Sequence, residues 1–529
     1  MKVLFINPGK EMGGIQCLSA FLKQGGHETA LINDSRLFDN PWVSFPRLAR
    51  YADLGDEVVK QAIDIAPDLI AFSVVSDDFQ WALTRARQLK AALGVPVVFG
   101  NIHPTSEPEQ TLSHPEVDFI VRGEGEYPLL GLADALEKHH GFDKVRGLGY
   151  RSNGQVVLNE LHPLIQDLDE LPFPDKDFTY EVMPYLNRGY TTMTGRGCPY
   201  RCTFCDNTTS MNLYREAGQK GRWPRRHSPE YVVREILWAK ERYGIDHVRF
   251  NDEDFSYDKN WTRRFCELYK KEVDIPYFAW VYPNTIDEEI ATLMAESGCD
   301  SVEMGVQSGS ARLRNEVMHR RTPEENILRA MHAFRKVGIK CTVDMIVGLP
   351  TETIEDLDIS VDLINRGRPY HLYAFWMRYY ASTEILNIAK ERAVLSPAEI
   401  AQIRDGNYGR GSIAGGTTRE KNVLAHRYHT LLVMTPILPQ RFVSWLLRRN
   451  FVRFMPRVNP FLIVNITKLL HPNPLDEFAR RERGLWRFEL PRTIRKMIRR
   501  VLRLEPMPEP TPTGTRRFEE SSEKLAESA

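Results

Sequence analysis

The chain has 529 residues, 42% hydrophobic and 26% charged, with 70 basic and 70 acidic side chains and a formal net charge of zero. That length exceeds one ordinary core, so two or three domains are expected, and the composition excludes disordered and fibrous classes. The balanced charge gives no global basis for nucleic-acid binding, no apolar run approaches the roughly 20 residues of a bilayer span, and seven cysteines, an odd and sparse set, do not make a disulfide framework.

The N-terminal apolar stretch inside Met1–Lys10 is shorter than the apolar core of a signal peptide. A cytoplasmic protein is expected, at most attached to the inner face of a membrane. Residues 1–140 alternate short apolar strands with amphipathic helices. The strands are Lys2–Ile6, Glu28–Ile32, Leu69–Ser73, Val95–Phe99 and Phe119–Val121. Between them lie helical patterns at Ile15–Gln24, Gly55–Ile65, Phe79–Leu93 and Tyr127–Glu137. This pattern predicts a parallel sheet with helices on both faces. Ligands of such sheets sit at the strand carboxyl ends. Here those ends carry Ser73, Ser76, Gly100, Asn101, Gly123, Glu124 and Gly125, small or polar residues that let a ligand approach the backbone.

Residues 141–188 read as a connector with a β-hairpin over Gly147–Asn159, turning at Asn153-Gly154. A second series fills residues 189–395. Strands are expected at Tyr190–Thr194, His247–Phe250, Tyr277–Val281, Ser301–Gly305, Thr342–Val347 and Leu372–Trp376. The intervening helices are Pro229–Arg242, Asn260–Lys271, Asp287–Ser297, Glu324–Lys336 and Ile354–Arg366. Six such repeats predict a partial (β/α)6 barrel of TIM type, with its chemistry on loops at the strand C-termini. Residues 396–504 read as a helical, Arg-rich region. Residues 505–529 read as a disordered tail.

The loop after the first barrel strand reads Gly195-Arg-Gly-Cys198-Pro-Tyr-Arg-Cys202-Thr-Phe-Cys205. Three thiolates on one short loop can hold three corners of a cubane [4Fe-4S] cluster and leave its fourth iron open. A structural zinc site would close its shell with a fourth Cys or His, and His227 is the nearest later histidine. A two-cysteine redox pair would leave the third cysteine without a role. Buried cysteines clustered by chance seldom occupy a loop so rich in Gly, Pro and Arg.

This C-x3-C-x2-C spacing, with Phe204 before the last cysteine, resembles the radical S-adenosylmethionine (radical SAM) superfamily. The resemblance implies that Cys198, Cys202 and Cys205 bind the cluster and that its open iron chelates S-adenosylmethionine, whose cleavage yields a 5′-deoxyadenosyl radical. It extends to His247–Phe255, similar to the family's acidic second-strand motif with Asp252 and Glu253 as the acidic pair. Glu303–Ser308 is similar to the fourth-strand segment, implying roles in S-adenosylmethionine binding for Glu303, Gln307 and Ser308. Asp344–Glu352 is similar to the fifth-strand segment, with Gly348 in its turn. Singly, the acidic residues read equally well as a helix cap and the Gly348 segment as an ordinary turn.

An α/β domain ahead of such a barrel resembles the Rossmann-like cobalamin-binding domain of the superfamily's largest methylase class. The resemblance implies cobalamin contacts at Ser73, Ser76, Gly100, Asn101, Gly123, Glu124 and Gly125. The first-strand loop of this chain, Asn7–Gln16, lacks the histidine that many such domains supply to cobalt, and His103 is expected to shape a turn instead.

The resemblance implies a cobalamin-dependent methyltransferase that acts on an unactivated carbon of a small-molecule or lipid substrate. An electron donor such as flavodoxin or ferredoxin is implied as partner. One alternative is an oxidative cyclase of the anaerobic tetrapyrrole-ring type. Another is a non-catalytic iron-sulfur or corrin-binding protein. The C-terminal region, with aromatic and Arg residues over Phe442–Met455 and a basic amphipathic pattern over Ile494–Arg503, reads as packing over the barrel or as a peripheral membrane contact.

Overall fold

The computed structural model describes residues 1–39, 45–406, 419–472, 477–502 and 504. The expected tail, 505–529, lies outside the described residues. The N-terminal strands are β1 (Lys2–Asn7), β2 (Glu28–Asn33), β3 (Leu69–Ser73), β4 (Val97–Gly100), β5 (Phe119–Val121), β6 (Leu148–Ser152) and β7 (Gln155–Leu158). They form one sheet in the order β2-β1-β3-β4-β5-β6-β7. The first five run parallel, whereas β6 and β7 are antiparallel. The connector hairpin therefore completes the N-terminal sheet rather than standing between domains. Val3–Ile6 and Leu69–Phe72 are buried throughout, as strands covered by helices on both faces require.

The second region opens with β8 (Gly189–Thr192), followed by a two-stranded ribbon of β9 (Gly195–Arg196) and β10 (Arg225–Arg226). Five more strands follow: β11 (His247–Phe250), β12 (Tyr277–Val281), β13 (Cys299–Gln307), β14 (Lys340–Val347) and β15 (His371–Trp376). Their order, β8-β11-β12-β13-β14-β15, is that of an all-parallel, six-stranded partial barrel. Local signals delimit its helices. Ser228 caps the helix Pro229–Tyr243 by accepting from the Tyr231 N–H, proline starts it, and Gly244 ends it at φ 63°. Thr353 and Asp356 form a reciprocal capping box for the helix Ile354–Gly367.

Of the C-terminal helices, Pro397–Arg404 buries Ile403 in the same apolar cluster as Phe204 and Leu349, beside the cysteine loop. The helix Arg419–Met434 packs on β15 and on the helix Ile354–Gly367. The last helix, Glu477–Val501, runs along the N-terminal domain, where Arg492 and Lys496 pair with Glu57 and Asp56. No helix among the described residues is long and apolar enough to cross a membrane.

Candidate functional site

The cysteine loop leaves β9 and enters the helix Asp206–Glu216, a helix that sequence periodicity did not indicate. Its path is fixed mainly by backbone contacts. Asn207 Oδ1 accepts from the Cys198 N–H (2.9 Å), and Asn207 Nδ2 donates to the carbonyls of Cys198 and Tyr200. Thr208 Oγ1 donates to the Cys202 carbonyl at 2.9 Å, and Thr203 Oγ1 to that of Val317 at 2.7 Å. Gly197 adopts φ 89° with the Trp223 ring so close that a Cβ would lie 2.7 Å from it, so only glycine fits. Phe204 packs against the cluster of Leu313, Met318, Leu349 and Met377, which anchors the last cysteine.

All three cysteines are free thiols. Burial pushes the Cys205 thiol up to about 12 and Cys198 above its usual range, so metal ligation here would displace protons. The Arg320 guanidinium donates to Cys202 Sγ at 3.5 Å and lies 4.1 Å from the Tyr282 ring. Tyr282 stacks in turn on Tyr200 of the loop, with centroids 3.7 Å apart. No three metal-ligating side chains among the described residues are grouped tightly enough for a single ion. The donor set, three thiolates with no fourth partner, suits a cubane better than a closed zinc shell.

The three acids after β11 divide their work. Asp252 is buried and accepts from the Thr194 N–H (3.0 Å) and Oγ1 (2.7 Å), so it pins the β8–β9 turn to β11. Glu253 is exposed to solvent, yet enough protein surrounds its carboxyl to desolvate it in part and push it up to about 7. Asp254, also raised to about 7 by burial, accepts from Ser256 N–H at 3.1 Å and leaves Oδ2 without a partner. Asp254 was not singled out from sequence. The run Asn251-Asp-Glu-Asp254 offered it equally, but only the fold separates the three.

Further along the barrel mouth, β13 carries a register irregularity between Gly305 and Gln307, and Gln307 adopts φ 71°. Such backbone strain clusters at functional sites. Glu303 on β13 and Asp344 on β14 are both buried in the barrel. Burial, and then the Glu303 charge, raise Asp344 well above the carboxylate range. Ser308 is buried, its carbonyl accepting from Arg314 at 2.8 Å. The Gly348 N–H donates to Glu352 Oε2 at 2.6 Å, and burial pushes Glu352 up to about 8. Cys198, Cys202, Cys205, Asp252, Glu253, Glu303, Gln307, Ser308 and Gly348 thus all lie at or inside the mouth end of the barrel.

The N-terminal strand ends face this loop across a cleft of about 170 Å3. Asn101, Thr105, Ser106, Gly123 and Glu124 form one wall, and Arg196, Asp206, Thr209, Tyr214 and Arg225 the other. Asn101, at φ 83°, donates to Ser73 Oγ at 3.0 Å. Glu124 forms ion pairs with Arg196 (3.2 Å) and Arg225 (2.9 Å), clamping the domain to the β9–β10 ribbon. Its N–H donates to Tyr214 Oη at 2.8 Å. Gly100 ends β4, and Gly125 packs on Leu18. Ser76 is buried against His103 Nδ1 at 3.1 Å, and the His103 ring lies 4.0 Å from Phe79, so this histidine packs its turn. In the loop after β1, Lys10 pairs with Asp78 at 2.7 Å.

The Radical SAM superfamily model matches residues 192–364, and the B12 binding domain model matches residues 12–133. The chain thus carries a Radical SAM domain and, ahead of it, a B12-binding domain. It is 33% identical over 304 residues to an uncharacterized methyltransferase of Pyrococcus horikoshii, a match covering 56% of this chain and 63% of the relative. The chain thus spans less than two thirds of that relative's length. It is also 26% identical, over 71% of its length and 68% of the relative's, to the anaerobic magnesium-protoporphyrin IX monomethyl ester cyclase of Rubrivivax gelatinosus. Its fold is that of the radical SAM methyltransferase TsrM from Kitasatospora setae, at TM-score 0.65 and 18% identity, covering 94% of this chain and 99% of that one.

Proposed function

We propose that this radical SAM protein is a cobalamin-dependent methyltransferase acting on an unactivated carbon of a small-molecule substrate. The observation that carries the reading is the single cleft in which the B12-domain turns meet the helix that follows the cysteine loop. Bound beside that cleft, a [4Fe-4S] cluster supplies the electron that cleaves S-adenosylmethionine to a radical, and cobalamin supplies the methyl group. Cys198, Cys202 and Cys205 hold the cluster. Glu253 and Asp254 face the loop with carboxylates suited to an ammonium group, while Asp252 holds their turn in place. Gln307, at its strained bulge, and Gly348 line the approach from β13 and β14. Asn101, Thr105 and Ser106 offer hydrogen-bonding groups suited to a corrin's amide side chains, and among the described residues no histidine lines this cleft. An external one-electron donor of flavodoxin or ferredoxin type is required.

The match to the cyclase supports a second reading, an oxidative ring closure with the same cofactors. Anaerobic reconstitution with iron, sulfide and cobalamin, followed by product analysis, separates them. Methyl transfer yields S-adenosylhomocysteine and 5′-deoxyadenosine in equal amounts, whereas cyclisation yields no S-adenosylhomocysteine. Zinc without iron, or failure to cleave S-adenosylmethionine under strong reduction, would overturn both readings.

A further inference from the structure

Residues 435–459 contain five arginines, Arg441, Arg448, Arg449, Arg453 and Arg457, and no acidic residue. The helix Gln440–Arg448 buries Val443 and Leu446 against the barrel but leaves Phe442 45% and Trp445 40% exposed. The short turn Phe451–Phe454 adds Phe451 and Phe454, the latter 70% exposed. These four rings form one continuous surface ladder. Phe442 and Trp445 are 5.9 Å apart, Trp445 and Phe451 4.8 Å, and Phe451 and Phe454 5.5 Å. Exposed aromatic side chains in contact make a patch, which isolated apolar residues on a surface do not.

The charges beside the ladder are unspent. Among the described residues none of the five arginines forms an ion pair with a carboxylate. Arg441 and Arg448, seven residues apart on one helix face, line a shallow cleft with Gln440, Ser444, Leu447 and Asp362. Asp362 is already held by Arg366 at 2.8 Å, and Arg448 Nε donates only to the Ser444 carbonyl of its own helix (3.3 Å), so among the described residues no carboxylate neutralises either guanidinium of the cleft. Rings that insert at the level of lipid headgroups, flanked by arginines that outnumber the one acid of their cleft, Asp362, match an anionic bilayer surface in both polarity and charge.

We infer that the face built from Phe442, Trp445, Phe451 and Phe454 with its flanking arginines docks on an anionic membrane surface. The helix is fastened by Asn365, which donates to Ser444 Oγ at 3.1 Å, and by Arg368, which donates to the carbonyls of Thr435 and Leu438. Asn365 and Arg368 lie where the chain approaches the start of β15, so the docking face sits toward the barrel end opposite the cysteine loop. Docking there anchors the protein by the end away from the cysteine loop. This inference does not rest on the assignment of cofactors.

The test is flotation of the full-length protein with phosphatidylcholine vesicles, with and without phosphatidylglycerol. Wild type should float with the anionic vesicles at low salt and detach as salt rises, and it should not bind the neutral ones. Trp445→Ser with Phe454→Ser, or Arg448→Glu with Arg453→Glu, should each lower the bound fraction about tenfold or more. Because these side chains are exposed, circular dichroism should match wild type. Three results would overturn the inference: wild type that stays unbound at low salt, variants that float like wild type, or a patch-dependent dimer in light scattering that the aromatic variant dissolves.

Discussion

Arg320 shows how one side chain can set the chemistry of a loop 118 residues away in sequence. Its guanidinium touches Cys202 Sγ, stacks over Tyr282, and is buried. A fixed positive charge beside a cluster sulfur favours the reduced, more negative cluster. Arg320→Met should therefore lower the cluster's reduction potential by on the order of tens of millivolts, with Arg320→Lys keeping part of the difference. An EPR-monitored redox titration reads this directly, and an unchanged midpoint would refute it. Replacing Cys198, Cys202 or Cys205 with Ala should abolish the cluster's visible absorption and reduce bound iron. The acids after β11 predict a pH dependence. Burial raises Glu253 and Asp254 to about 7, so they lose their charge as pH falls through that value. Affinity for S-adenosylmethionine, a cation, should weaken below about pH 7, and Glu253→Gln should shrink that step in a calorimetric titration to the part that Asp254 carries.

At the level of elements, the β9–β10 ribbon is the piece that brings two domains to one cleft. It has two residues per strand, too short to be recognised from alternation, yet Arg196 and Arg225 converge on Glu124 from it. Arg225 is 2% exposed at its side chain, so removing its counter-charge leaves a buried cation unpaired. Glu124→Ala should destabilise the protein by about 3 kcal/mol in chemical unfolding. It should also weaken retention of cobalamin on a sizing column, because one cleft wall loses its tether. Retention equal to wild type would show that the clamp is not what shapes the cleft. Regular elements were legible: β3, β5, β11 and β12 stand where apolar periodicity placed them, and β13 and β14 begin two residues earlier. The helix Asp206–Glu216 was not, because Asn, Thr and Ser dominate it and it is held by contacts to the cysteine loop rather than by an apolar stripe.

Across the whole molecule, one buried ionic knot ties all its regions together. Lys176 of the connector, with a side chain of zero exposure, donates to Glu11 and Gln16 of the N-terminal domain and to the Thr191 carbonyl of β8. Arg481 of the last helix pairs with the same Glu11. Burial alone would raise Glu11, but Lys176 and Arg481 hold it down to about 2. A carboxylate with a lowered pKa stabilises the folded state above its ordinary value of 4.5, and this contribution is lost as pH falls from there toward about 2. Glu11→Gln should cost about 3 kcal/mol at neutral pH. In thermal scans, the difference between variant and wild type should shrink as the solution is acidified through that window. A constant difference would rule out the linkage.

Three thiols at fixed spacing, two series of alternating strands and helices, and glycines at the strand ends are local features, and they determined the candidate cluster ligands, the order of the two α/β units and the strand ends proposed to carry the chemistry. Ligand spacing on one loop and periodicity along one element need no partner elsewhere in the chain. The roles of the charged residues did need partners. Asp252 as a backbone anchor, Glu124 as a clamp, Arg320 at Cys202 and the basic residues of the last helix turned onto Asp56 and Glu57 are all contacts between segments far apart in sequence. Only the tertiary structure decided them, because a charge's function depends on what it meets after burial, and the chain order does not state which charges will meet.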